Sequence, residues 1–122
     1  MNQIEFTIWG GIKGGKNNYI VTRSGRHVPR PDWTRWRDKV VRDLKFYAAQ
    51  IKHEIITIPC YIYFGYFPPD KRRRDVPAIL DSVFHCLERA GIVQDDFLFK
   101  NVEFYTFISP TEEPRLTIKI EW

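Results

Sequence analysis

Ile4, Phe6 and Ile8 alternate with Gln3, Glu5 and Thr7. A period of two predicts a half-buried strand over Gln3 to Trp9. The pattern then breaks: from Gly10 to Pro29 the chain reads GGIKGGKNNYIVTRSGRHVP, which predicts a long loop with room for a short hairpin turning at Ser24-Gly25. Pro31 and Asp32 open a helix, the proline in its first turn and the acid near the positive end of its dipole. Trp33, Trp36, Val40, Val41, Leu44, Tyr47, Ala48 and Ile51 follow helical spacing, with Arg35, Lys39, Arg42 and Asp43 on the opposite face. Thr57 to Phe67 is apolar and β-rich, a central strand ended by Pro68-Pro69-Asp70. A second helix runs from Pro77 to Ala90 on the buried stripe Ile79, Leu80, Val83, Phe84 and Leu87, with Gly91 as its C-cap. Asn101 to Ser109 and Arg115 to Trp122 both alternate and predict a hairpin across PTEEP. The order β-α-β-α-β-β, with no repeat or linker, predicts one α/β (α+β) domain over residues 1–122 with a mixed sheet and two main helices.

Composition narrows this picture. The chain has 122 residues, 43% hydrophobic and 16% aromatic, which suits one domain with a core and excludes low-complexity disorder. A net charge of +4 and a pI near 9.2 permit an anionic partner without requiring one. Basic residues gather at Arg23 to Arg42 and again at Lys71 to Arg74. Cys60 and Cys86 fall outside any CxxC pair, so a zinc ribbon or redox motif is absent, and two buried thiols in a reducing compartment are expected. MNQIEFTIW lacks the form of a signal peptide. The longest uncharged stretch, the 15 residues from Ile55 to Pro69, is too short to cross a bilayer. A soluble cytoplasmic protein with no membrane partner is the expectation.

The stretch DKRRRDVPAILDSVFHCLERAGIVQDD, Asp70 to Asp96, carries the candidate chemistry. Phosphodiester hydrolysis benefits from magnesium, which takes hard oxygen ligands from a few carboxylates. Nearby arginines clamp phosphates bidentately. Asp75 before the second helix and Asp95-Asp96 after it are the carboxylates placed for such work, provided the turn at 91–96 folds back along the helix.

These residues resemble the RusA family of Holliday junction resolvases, whose motif runs R-R-D-x-D-N, then a helix, then A-G-x-x-x-D-D. RRRDVPAILDSVFHCLERAGIVQDD aligns with it from Arg72 to Asp96 without a gap. NNY at Asn17 to Tyr19, then Arg23, Gly25-Arg26 and a basic helix are similar to the family's N-terminal region. The resemblance implies a magnesium-dependent endodeoxyribonuclease, with manganese as a substitute, that acts as a homodimer on branched DNA in a bacterial or phage-infected cytoplasm. Asp75 matches the first catalytic aspartate, Asp96 the third, Asp95 its acidic neighbour and Arg74 the basic residue before the first. The second aspartate falls on Pro77 and the following asparagine on Ala78. A helical lysine falls on Asp81, and an aspartate one turn later on His85. Asp81 is therefore expected to supply the ligand that Pro77 lacks, with His85 beside it. Lys71, Arg72, Arg73, Arg74, Lys13, Lys16, Asn17, Asn18, Arg23 and Arg26 are expected to hold DNA.

Other roles fit the same residues. Asp75 suits a helix cap, Asp95-Asp96 a surface turn, and Trp33 with Trp36 the core. Glu88, on the face of Asp81 and His85, suits solvent. A catalytically inert junction-binding protein of the same fold, or a small RNA-binding regulator using the 31–45 helix, remains an alternative.

Overall fold

The computed structural model describes residues 1–14, 19–71, 74–107 and 113–122, with Tyr19 and Pro29 described by backbone alone. Lys16, Asn17, Asn18, Arg72 and Arg73 lie outside the described residues. The elements are β1 (Gln3–Trp9), β2 (Tyr19–Val21), β3 (His27–Pro29), α1 (Pro31–Gln50), β4 (Cys60–Phe67), α2 (Val76–Arg89), a 3-10 turn (Asp96–Leu98), β5 (Phe99–Thr106) and β6 (Arg115–Glu121). This is an α+β fold in the expected order, with the short β2–β3 hairpin inside the long first connection. Two compact units share the chain: residues 1–12, 55–74 and 93–122 form one, residues 13–54 and 75–92 the other.

The first unit is the four-stranded sheet, in the order β1-β6-β4-β5. Alternation decides its faces. Ile4 and Ile8 of β1, Ile62, Phe64 and Tyr66 of β4, and Leu116, Ile118 and Ile120 of β6 are all buried, while their sequence neighbours point the other way. Burying each large apolar side chain contributes about 1.5–3 kcal/mol. β4 is central, as its continuous apolar run predicts. β6 pairs antiparallel with both β1 and β4, and β5 pairs parallel with β4.

The expected β5–β6 hairpin is therefore wrong: β4 stands between the two strands. Alternation says which face of a strand is buried, not which strand lies beside it. β4 is buried through Cys60, Ile62, Phe64 and Tyr66, and takes a partner on each edge.

The second unit packs α1 and α2 together and carries the hairpin. Trp33, Val40, Val41 and Leu44 are the buried residues of α1; Ile79, Ser82, Val83, Cys86 and Leu87 are those of α2. Trp36, expected in the core, is half-buried. The Trp33 indole N–H donates to the Ser82 hydroxyl at 3.1 Å, which accounts for a buried serine on an apolar helix face. Gly91 (φ 75°) ends α2, with the Gly91 N–H on the Glu88 carbonyl and the Ile92 N–H on the Leu87 carbonyl. That is the double closure of a Schellman motif, which a left-handed residue makes possible. The His53 ring bonds the Ile92 carbonyl at 2.9 Å, a partner the sequence did not reveal.

Candidate functional site

Asp75 takes its place from the backbone of α2. It is the N-cap, its Oδ1 accepting from the Ala78 N–H at 3.3 Å, while the proline at 77 has no N–H to satisfy. The carboxylate is exposed, and a carboxylate has acceptor capacity beyond one hydrogen bond. Gly14 passes close to the same helix start: a Cβ on Gly14 would lie 3.2 Å from the Ala78 Cβ and 3.3 Å from its carbonyl carbon. The first connection thus runs against the turn that Asp75 caps, with Lys13 exposed on it.

Asp81, His85 and Glu88 follow along α2, all three half-buried. The His85 ring packs on Trp33, centroids 5.6 Å apart, and Arg37 lies over the same indole at 5.4 Å. His85 is thus part of an aromatic contact as well as a neighbour of Asp81.

Asp95 and Asp96 are exposed and belong to the first unit. Asp95 caps the 3-10 turn, its Oδ1 accepting from the Phe97 N–H at 3.0 Å. Phe97 is exposed, with the Lys100 ammonium 5.3 Å from its ring centre. Asp95 and Asp96 thus offer two adjacent exposed carboxylates in the first unit. Their carboxylate oxygens are the hard donors that magnesium takes. Glu88, placed by the sequence on the face of Asp81 and His85 and expected to face solvent, is half-buried.

The basic candidates divide. Arg74 is engaged: its guanidinium donates to Asp70 at 2.8 Å, and that hydrogen bond raises its pKa against the opposing effect of burial. The pairing of a phosphate-binding candidate with an acid four residues earlier was not read from the sequence. Lys71 is exposed beside it. Arg23 and Arg26 stand exposed at the β2–β3 turn, where Thr22 accepts the Arg26 N–H through its side chain at 3.2 Å. The hairpin therefore presents both arginines at one tip.

Cys60 and Cys86 are buried and free. Burial pushes the Cys86 thiol up to about 12, outweighing Arg37 and Arg89, so neither a thiolate nucleophile nor a soft metal ligand is offered there. Among the described residues, no helix is long and apolar enough to cross a membrane.

Comparison with known proteins bears on this arrangement. No family model matches the chain. A crossover junction endodeoxyribonuclease RusA from Aquifex aeolicus (strain VF5) is 27% identical over 86 residues. The chain is RusA-like. The match takes in 70% of this chain and 66% of the Aquifex protein, so the chain spans just under two thirds of that protein's length. The resemblance read from the motif between Arg72 and Asp96 is thus joined by a similarity over 86 residues. In this RusA-like chain a proline stands at 77 and an alanine at 78, where the family motif carries an aspartate and an asparagine.

Proposed function

We propose that this chain is a magnesium-dependent, structure-selective endodeoxyribonuclease that resolves four-way DNA junctions. The similarity to the Aquifex crossover junction endodeoxyribonuclease carries the reading, supported by the aspartates that survive from the family motif.

Asp75 and Asp96 serve as metal ligands, with Asp81 replacing the carboxylate lost at Pro77 and Asp95 and Glu88 adding oxygen donors. Manganese serves in place of magnesium. When bound, the ion supplies Lewis acidity at the scissile phosphate and an acidified water. Asp75 keeps one oxygen on the Ala78 N–H and offers the other, so the cap fixes its orientation. Asp95 is held likewise by the Phe97 N–H. His85 stands one turn beyond Asp81 and offers an imidazole for proton transfer. Lys71, Arg72, Arg73 and Arg74 take one stretch of phosphates. Lys13, Lys16, Asn17, Asn18, Arg23 and Arg26 take another. Two copies related by a two-fold axis set two such sites on opposite strands of a symmetric junction. The setting is the cytoplasm of a bacterium or of a phage-infected cell.

An end-labelled four-way junction incubated with magnesium, and again with EDTA, tests the reading. The expected result is paired, symmetric nicks that vanish with EDTA and are absent from linear duplex. Binding without nicks in magnesium would show instead a protein that holds junctions and has lost the reaction with the ligand at 77.

A further inference from the structure

The sheet of the first unit has one face buried through Ile62, Phe64 and Tyr66 and another that carries aromatic rings. On that second face the strands line up in rows. At the end where β4 leaves the sheet, Trp9, Arg115 and Phe67 are direct cross-strand neighbours. Phe107 joins them, its backbone N–H on the Tyr66 carbonyl at 2.9 Å. The next row sets Gly65 between Thr117 and Tyr105.

Gly65 lets the rings gather. A Cβ there would meet the Thr117 hydroxyl at 2.6 Å, a ring carbon of Phe107 at 3.5 Å and one of Phe67 at 3.8 Å. The missing side chain leaves that space to its neighbours. Phe107 stacks on Phe67 at 4.1 Å with 11° between the ring planes, and the Tyr105 ring meets Phe107 edge-on at 4.9 Å. The Arg115 guanidinium lies 3.8 Å from the Phe67 ring centre and 5.8 Å from that of Trp9, and its Nη1 donates to the Glu113 carbonyl at 3.1 Å. The rings are thus held against one another while their outer surfaces stay open: Trp9 is 59% exposed, Tyr105 61% and Phe107 39%. An exposed patch of this kind marks an interaction surface.

Charge selects the occupant. Neither of these two rows contains a carboxylate; the acids of the face, Glu5, Glu103 and Glu121, stand in the two rows at the far end. The chain also leaves β4 at the aromatic end and enters the basic run that begins at Lys71. Exposed rings around a fixed cation, continuous with a basic segment, suit a ligand with flat π faces on an anionic backbone. We propose that this end of the sheet stacks the unpaired bases of a DNA strand. Trp9 and Tyr105, the most exposed rings, offer the stacking surface. Phe67 and Phe107 support it, and Arg115 adds cation–π attraction and a charge that opposes phosphate. Every base has a π face, so the surface tells unpaired bases from paired ones rather than one base from another. It uses none of the carboxylates assigned to cutting. Its use in junction cleavage rests on the reading above, whereas the surface itself rests on the sheet alone.

Fluorescence anisotropy of the full chain in EDTA, with labelled oligo-dT and with an abasic strand of the same length, tests it. The two probes share a backbone charge and differ in their bases. The wild-type chain should bind oligo-dT at least about fivefold more tightly, the low end of what stacking a single base contributes. Trp9→Ala and Tyr105→Ala should each remove most of that preference and leave binding of the abasic strand unchanged, while Trp9→Phe keeps part of it. Trp9 and Tyr105 lie on the two edge strands, so if one alanine variant misfolds by circular dichroism the other decides. Equal affinity of the wild-type chain for both probes, or binding of neither, would overturn the proposal whatever the variants do. So would a preference that both alanine variants keep. If those variants kept the preference but lost self-association in sedimentation velocity, the face would belong to a protein contact instead. Junction cleavage is read separately. A chain that prefers oligo-dT but cuts nothing keeps the stacking surface and loses the nuclease. A chain that cuts but binds both probes equally loses only the surface.

Discussion

At the residue scale, local hydrogen bonds give the candidate carboxylates their orientation. Asp75 and Asp95 each accept a backbone N–H close behind them in sequence, so a role in capping and a role toward a metal are compatible in one side chain. The buried thiols carry a prediction of their own. Burial raises both, Cys86 to about 12 from 9.0. The folded protein then keeps a proton that the unfolded chain surrenders above pH 9, so stability is full below pH 9 and is lost as pH rises toward about 12. For one thiol the loss approaches about 1.4 kcal/mol per pH unit within that window. The urea midpoint should fall from pH 9 upward, and Cys86→Ala should lessen the fall. A variant with the wild-type slope would show that Cys86 is not the source.

At the element scale, α1 and α2 meet through a polar bond inside an apolar contact. Ser82→Ala leaves the Trp33 indole N–H without its acceptor, at a cost of about 1–3 kcal/mol. Chemical denaturation should show that loss, and Ser82→Thr should recover part of it. An unchanged midpoint would mean that the bond contributes nothing net. Both helices and the central strand were legible because Val40, Leu44, Val83 and Leu87 keep a helical period while β4 is apolar throughout. The neighbours of each strand were not. β6 alternates as well as any hairpin strand, yet the pattern of Leu116, Ile118 and Ile120 specifies a face and leaves the pairing with β1 and β4 to the tertiary fold. The same limit applied to the site. Asp75, Asp95 and Asp96 stood out by motif, whereas the pairing of Arg74 with Asp70 and the tilted packing of His85 on Trp33 depend on side-chain directions that spacing does not encode.

At the scale of the whole molecule, a modest positive charge is spread over exposed tips, at Arg23 and Arg26 on the hairpin and Lys71 after β4, while acids gather near α2 and the turn that follows it. The proposed reading gives the basic groups the phosphate backbone to grip and the acids the cutting, and the two tasks are separable by substitution. Asn caps a helix about as well as Asp, so Asp75→Asn removes charge with little disturbance of the fold, and the exposed Asp96 carboxylate can be exchanged for an amide of the same shape. The most direct measurement is a parallel titration of binding and cleavage of a four-way junction in magnesium by the wild-type chain and these two variants. Both variants should bind within a few-fold of wild type while cutting about 100-fold more slowly or worse, the scale of losing a metal ligand's several kcal/mol. Wild-type cutting rates in both variants would contradict the assignment of the carboxylates and, with it, the proposed reaction.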